Sequence, residues 1–213
     1  MCDSKPSTLI HHMFKDLREL LLPPVCVRCQ NRGEALCSHC ADSLKPRRRF
    51  DVAGLDDLVC LGPFDGWLRD AVIAYKTGNR HPLRGCAQAI VVGLPEVLGS
   101  SRDVLMVPIP SQRTKISERG FDPVGLIAAM ASRIHGLPTA PLLTYQRQVK
   151  DQVGLDASAR RANVDQCFIA VGPSPAHVLL LDDVVTTGAT LSQAALACKK
   201  SGASKVSAIT LCG

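Results

Sequence analysis

Apolar residues along the chain alternate between short continuous runs and segments with helical spacing. The short runs have the length of buried strands and lie at residues 58–64, 104–107 and 178–181, and the segment 205–211 predicts a closing strand. Segments with apolar residues three and four positions apart predict helices at residues 9–22, 65–77, 82–98, 122–135 and 189–201. This alternation predicts an α/β fold in which helices cover both faces of a mostly parallel sheet.

The segment 122–135 shows the helical pattern clearly. Asp122 and Pro123 favour a helix start, as an N-cap residue followed by a proline in the first turn. The apolar positions three and four residues apart predict a buried face made of Val124, Ile127, Ala128, Ala131 and Ile134.

Composition and charge restrict the class of protein. The chain has 213 residues, 46% of them hydrophobic, which suits one domain with a small appendage. No apolar run reaches the roughly 18–20 residues of a membrane span, and no signal peptide is recognisable, so we expect a cytoplasmic protein without a membrane span. The net charge of +6 is compatible with phosphate-bearing ligands but does not by itself indicate nucleic-acid binding.

Four of the ten cysteines form a cluster with the spacing C-x2-C-x7-C-x2-C. Two such pairs can direct four sulfurs at one centre, and a closed tetrahedron of thiolates suits a structural zinc ion. The predicted ligands are Cys26, Cys29, Cys37 and Cys40. Chance clustering and an iron–sulfur cluster are the alternatives, and His39 is a conceivable substitute ligand. The scattered cysteines are expected to be small buried hydrophobic residues.

Residues 178–190 read VLLLDDVVTTGAT, an apolar strand followed by two aspartates and a threonine-rich helix start. The aspartate pair, Asp182 and Asp183, can accept hydrogen bonds from the vicinal hydroxyls of a sugar. The following residues offer backbone N–H groups and hydroxyls to an anion; this phosphate loop comprises Thr186, Thr187, Gly188, Ala189 and Thr190. A ribose 5-phosphate unit fits both parts, and the alternative is a capped helix that follows an acidic strand end.

These residues resemble the phosphoribosyl pyrophosphate (PRPP) motif of type I phosphoribosyltransferases. The chain as a whole is similar to the ComF family, a branch of that superfamily with a zinc ribbon and a link to competence and DNA uptake. The other matching stretches are residues 75–80, 107–110 with Arg113, 119–121, 152–155 and 160–163. The resemblance implies a phosphoribosyltransferase-like parallel sheet flanked by helices, with a small N-terminal zinc ribbon.

The resemblance also implies a domain organisation. Residues 1–49 would comprise the N-terminal helix, the zinc ribbon and a basic connector. Residues 50–213 would form the phosphoribosyltransferase-like domain, with a hood at 50–100 and a core at 101–213. The hood, which carries Lys76 and Arg80, would select the acceptor.

The resemblance assigns further roles around a bound Mg2+–PRPP. Asp182 and Asp183 would hold the ribose diol and stabilise positive charge on the sugar as pyrophosphate leaves. A pyrophosphate loop at 107–111, with Pro108, Ile109 and Pro110, would hold the leaving group together with Arg113. A basic lid at 144–163 would close over the site and would carry Arg147, Lys150, Arg160 and Arg161.

Two functions from different classes follow from the sequence and from what this resemblance implies. The first is transfer of ribosyl 5-phosphate from PRPP to an unknown acceptor. The second is a non-catalytic protein of DNA uptake or single-stranded DNA handling, with a possible DNA-uptake partner protein, that uses the PRPP site for binding or sensing. The basic run Arg47–Arg49 favours the second function, although it is also typical of a solvated linker. The dispersed Trp67, Tyr75 and Tyr145 disfavour a stacking platform for bases.

Overall fold

The computed structural model describes residues 23–49, 51–99, 101, 103–146 and 167–213. The helix predicted at 9–22 lies outside these residues. The same is true of most of the predicted lid, including Arg147, Lys150, Arg160 and Arg161. Within the described part of the chain, no helix is long and apolar enough to cross a membrane.

The described residues form strands and helices close to the predicted positions. The strands are β1 (Arg47–Arg49), β2 (Asp57–Gly62), β3 (Leu105–Pro108), β4 (Leu143–Tyr145), β5 (Phe168–Ala170), β6 (His177–Val184) and β7 (Lys205–Cys212). The helices are α1 (Ser38–Ala41), α2 (Gly66–Lys76), α3 (Leu83–Leu98), α4 (Arg113–Arg119), α5 (Pro123–His135) and α6 (Ala189–Lys200).

Five strands form the central sheet in the order β1-β2-β7-β6-β3. All neighbours pair in parallel except β1, which runs antiparallel to β2 at the edge. This confirms the predicted α/β class with a mostly parallel sheet. Strand β2, from the region expected to form a hood, pairs with β7, so this strand belongs to the same sheet as the strands of the predicted core.

Helices cover both faces of this sheet, as predicted. Alternate residues of β6 point to opposite faces: Leu179 and Leu181 pack in the cluster that contains α2, α3 and α5, and Val178 and Leu180 pack in the cluster that contains α6. The antiparallel pair β4–β5 covers the same face as α6. Because β6 is buried on both sides, its sequence is a continuous apolar run rather than an alternating one.

Two predictions from the sequence, one about secondary structure and one about burial, are wrong. Residues Arg47–Arg49 are the edge strand β1 rather than a connector; charged residues are typical of an edge that must not pair with other chains. Ile134 is 50% exposed, although it continues the apolar stripe of α5, because the buried cluster on that helix ends at Ala131. Helix α5 nevertheless begins at Pro123, as predicted.

The cysteine module, residues 25–42, packs directly against helix α3. A Cβ atom at Gly85 of that helix would lie 2.6 Å from the carbonyl oxygen of Ala35 and 2.6 Å from Cγ1 of Val27. Only glycine permits this approach, because backbone atoms cannot move aside as the end of a flexible side chain can. The module therefore adds to the same hydrophobic cluster as helices α2 and α3.

Candidate functional site

The candidate site lies at the carboxyl end of β6, between the ends of its two parallel neighbours. Asp182 stands opposite Thr210 of β7, and Leu181 stands opposite Pro108, the last residue of β3. The aspartate pair therefore begins where β3 has already ended. Crevices of this kind, beyond the carboxyl ends of strands, are where open α/β sheets bind ligands.

The two aspartates of the pair have different surroundings. Asp182 is partly buried and accepts a hydrogen bond of 2.8 Å from the backbone N–H of Asp183. Burial, reinforced by the neighbouring charge of Asp183, raises the pKa of Asp182 from its usual 3.8 to about 7. Asp183 has a cation of its own, because its Oδ2 lies 2.8 Å from Nζ of Lys76.

Helix α2 supplies both side chains that contact Asp183. Lys76, which sequence analysis placed in the hood without a partner, is the ion-pair partner. Tyr75, the preceding residue, is fully buried, and its hydroxyl donates to Asp183 Oδ2 at 3.3 Å. Burial and the charge of Asp183 raise the pKa of Tyr75 well above its usual value, so the hydroxyl remains a donor. Sequence analysis missed this role; the available signal was a tyrosine beside a lysine in a chain with few aromatics.

The phosphate loop leads from β6 into helix α6. Thr186 and Thr187 are exposed, while Gly188 is buried and takes the N-cap position with a left-handed φ of 73°. A Cβ atom there would lie 2.5 Å from Cγ2 of Val52. Glycine is therefore required by both the backbone conformation and the close packing. The Ala189 N–H lies 3.4 Å from the hydroxyl of Thr187.

The predicted pyrophosphate loop runs beside the aspartate pair. The Ile109 N–H donates to the carbonyl of Leu181 at 2.9 Å, so this loop stays attached to β6 up to the residue before Asp182. Ser111 donates to Asp122 at 2.7 Å. Asp122 takes the N-cap position of α5, but its side chain makes no capping hydrogen bond; it holds the end of the loop instead.

Two predicted basic residues, Arg80 and Arg113, make no described contact with the aspartate pair. Arg80 donates to the carbonyl of Gly120 at 3.1 Å, and its guanidinium stacks on Phe121 at 4.5 Å from the ring centroid. It therefore connects the α2–α3 turn to the turn before α5. Arg113 is exposed at the start of α4, and no described contact joins it to the aspartate pair.

The four cysteines of the module lie close enough together to bind one metal ion. The four Sγ atoms all lie within 4.8 Å of one another, and those of Cys29 and Cys37 are 3.7 Å apart. Four sulfurs at about 2.3 Å from zinc would be roughly 3.8 Å apart, so the cluster fits a tetrahedral site. Burial opposes ionisation of Cys26, but the N–H groups of Cys29, Cys37 and Arg28 lower its pKa to about 6. The residues present therefore fit a structural metal such as zinc.

Removing the metal is expected to destabilise the protein. A chelator, or Cys40→Ser, should lower the free energy of unfolding by about 4 kcal/mol, the amount supplied by free metal at a thousand times its Kd. His39→Ala is the matched control, because His39 is exposed and lies outside the sulfur cluster. Metal content and thermal unfolding measure both effects. Unchanged stability after complete metal removal would contradict a structural role.

The surroundings of Asp182 predict a pH-dependent stability. Its pKa is raised on folding, so between about pH 4 and pH 7 the folded chain holds a proton that the unfolded chain releases. The free energy of unfolding should therefore fall as pH rises through this window. Asp182→Asn should remove this loss and be more stable than wild type at pH 8 by about 2–4 kcal/mol. Urea unfolding at pH 4 and pH 8 tests it, with exposed Asp70→Asn as control; equal effects of the two variants would contradict it.

Comparison with known proteins finds relatives that match most of the chain. It is 29% identical over 199 residues to the DNA utilization protein YhgH of Escherichia coli (strain K12), covering 90% of this chain and 83% of that protein. It is 25% identical over 194 residues to competence protein F of Haemophilus influenzae, covering 86% and 82%. Comparison with models of protein families finds no match. Both relatives are matched over more than four fifths of each chain, and these similarities support the resemblance to the ComF family.

Proposed function

We propose that this protein binds PRPP in the manner of a phosphoribosyltransferase and transfers ribosyl 5-phosphate to an unknown acceptor, with release of pyrophosphate. The observation that carries the proposal is the position of the aspartate pair. It stands at the carboxyl end of a buried parallel strand, beside the pyrophosphate loop and directly before the phosphate loop. A sugar phosphate needs these elements together: acceptors for its diol and a cradle for its phosphate.

Each part of the site has a role in this proposal. Asp182 and Asp183 accept hydrogen bonds from the two ribose hydroxyls, and the exposed Thr186 and Thr187 face the 5-phosphate. Mg2+, when bound with PRPP, would screen the charge of the pyrophosphate; hydroxyl and phosphate oxygens are its preferred ligands. The chain's own carboxylates fit such a site, because Asp183 is 12% exposed and stays accessible beside Lys76.

The ion pair with Lys76 supports binding more directly than turnover. Stabilising positive charge on the sugar requires a carboxylate whose negative charge is available. Lys76 already balances the charge of Asp183, and Asp182 is half-protonated near pH 7. Holding the diol does not need a net charge, since a paired carboxylate still has oxygen lone pairs to accept hydrogen bonds. Transfer is thus the second step of the proposal, and it requires its own assay.

A role in DNA utilization is the second candidate, and the names of the two relatives favour it. Of the three arginines in the basic run, Arg47 alone is exposed without a side-chain partner among the described residues. Arg48 and Arg49 are engaged in contacts within the chain, and Tyr75 is fully buried. A DNA-related role is therefore best reconciled with the site as binding or sensing of a phosphorylated sugar, rather than as base stacking.

Binding of Mg2+–PRPP should stabilise the wild-type protein but not Asp182→Asn/Asp183→Asn. Ligand at a hundred times its Kd contributes about 2.7 kcal/mol, or roughly 5–10 °C for a chain of this size. Each protein is compared with its own ligand-free melting temperature, and Asp70→Asn is the surface control. Pyrophosphate release in the presence of candidate acceptors then tests turnover. No shift of the wild type at millimolar PRPP would contradict the proposal.

The DNA-related candidate has a separate test with the same variants. A labelled single-stranded oligonucleotide is titrated at 50 and 200 mM salt, because phosphate contacts make binding strongly salt-dependent. If the second candidate is right, the oligonucleotide binds wild type and Asp182→Asn/Asp183→Asn equally, and Mg2+–PRPP alters the affinity of the wild type alone. Absence of binding at 50 mM salt would contradict direct DNA handling.

A further inference from the structure

The three arginines of β1 have different surroundings, and only Arg49 reaches the candidate site. Arg47 is exposed, and its side chain makes no hydrogen bond or ion pair with the other described residues. Arg48 donates to the carbonyl of Glu96 and lies 3.6 Å from Asp57. Arg49 is 27% exposed and points towards the phosphate loop. Of these three arginines, Arg49 is the one that contacts the phosphate loop.

The guanidinium of Arg49 is fixed from two sides. Its Nε and Nη2 donate to the two carboxylate oxygens of Asp51, at 3.0 and 2.7 Å. This bidentate pairing sets the plane of the guanidinium, because the two parallel N–H groups match the carboxylate. Its Nη1 then donates to the backbone carbonyl of Thr186 at 3.4 Å. The edge strand thus contacts the first residue of the phosphate loop.

Contact with this carbonyl determines the direction of the next N–H group. The described residues contain no cis peptide bond. In a planar trans peptide, the C=O of Thr186 and the N–H of Thr187 point in opposite directions. With the carbonyl held by Arg49, the N–H of Thr187 points away from the guanidinium and is free of this contact.

A second contact supports the loop from the same side. Val52 is 5% exposed and packs against Gly188, where a Cβ atom would lie 2.5 Å from its Cγ2 atom. Arg49 and Val52 therefore support the phosphate loop at its first and third residues. The hydrogen bond from Arg49 orients the peptide plane between Thr186 and Thr187. The contact with Val52 limits how closely the backbone at Gly188 can approach β1 and the residues after it. Neither contact uses the exposed hydroxyls of Thr186 and Thr187.

We infer that Arg49 is a positioning residue for the phosphate loop. It orients the Thr187 N–H towards the phosphate of a sugar phosphate, and Asp51 keeps the guanidinium in place. The inference rests on the proposed function for the identity of the ligand, but the orientation of the loop can be measured without any ligand.

The experiment compares Arg49→Met and Arg49→Lys with the control Arg47→Met on the same strand. Ribose 5-phosphate is titrated calorimetrically, and backbone amide exchange is followed at residues 186–190. Arg49→Met should weaken binding about tenfold, as loss of one charge-assisted hydrogen bond would, and should speed exchange in the loop. Arg49→Lys should recover part of the affinity, because lysine can donate to the carbonyl but cannot make the bidentate pair. Arg47→Met should match wild type.

The two readouts separate this inference from the proposed function. If the wild type does not bind ribose 5-phosphate, the proposed function loses its phosphate ligand. Faster amide exchange in the loop of Arg49→Met would still support the positioning role. Equal affinity and equal exchange in wild type and Arg49→Met would overturn the inference. If Arg49→Met does not fold, Asp51→Asn takes its place. Asp51 is 64% exposed, and its replacement should produce a smaller change in the same direction; no change in either readout would overturn the inference.

Discussion

The parallel pairing of β6 between β3 and β7 is the constraint on which the candidate site depends. Strand β6 is buried on both faces and apolar from Val178 to Leu181. Its partner β3 ends opposite that residue. The two carboxylates therefore appear at the first position where one neighbouring strand is missing. Partial burial there raises the pKa of Asp182. A cation beside Asp183 stabilises its negative charge in this partly buried environment.

That cation comes from a distant part of the chain. Lys76 and Tyr75 end helix α2, more than a hundred residues before Asp183. Tyr75 is fully buried, and its hydroxyl contacts the carboxylate of Asp183. The packing of α2 on the sheet therefore also sets the position of Lys76. Helix α2 thus contributes to both the polar site and the hydrophobic core. A change in how α2 packs would be felt at Asp183 without any change in the loop itself.

The sequence alone predicted the parts whose signals are local. A continuous apolar run predicted β6, the segment 205–211 predicted β7, and the residues after β6 predicted the helix that begins at Ala189. The pairing of Lys76 with Asp183 could not be predicted, since no local pattern records a contact across the sheet. Strand β1 was missed because three arginines show no alternation; its pairing with β2 comes from the free edge of the sheet. The exposure of Ile134 was missed because periodicity predicts which residues share the apolar face of a helix. It does not predict how far along the helix neighbouring elements pack against that face.

The position of β1 also connects the cysteine module to the phosphate loop. The module is fixed at Gly85 of α3, and the backbone of Lys45, two residues before β1, donates to the carbonyl of Leu61 in β2. Strand β1 follows at once and places Arg49 against Thr186. A metal held by the four cysteines would therefore do more than stabilise its own short segment. By fixing the chain just before β1, it would help to hold the arginine that orients the loop, so a distant structural metal and a ligand site would share one path through the backbone.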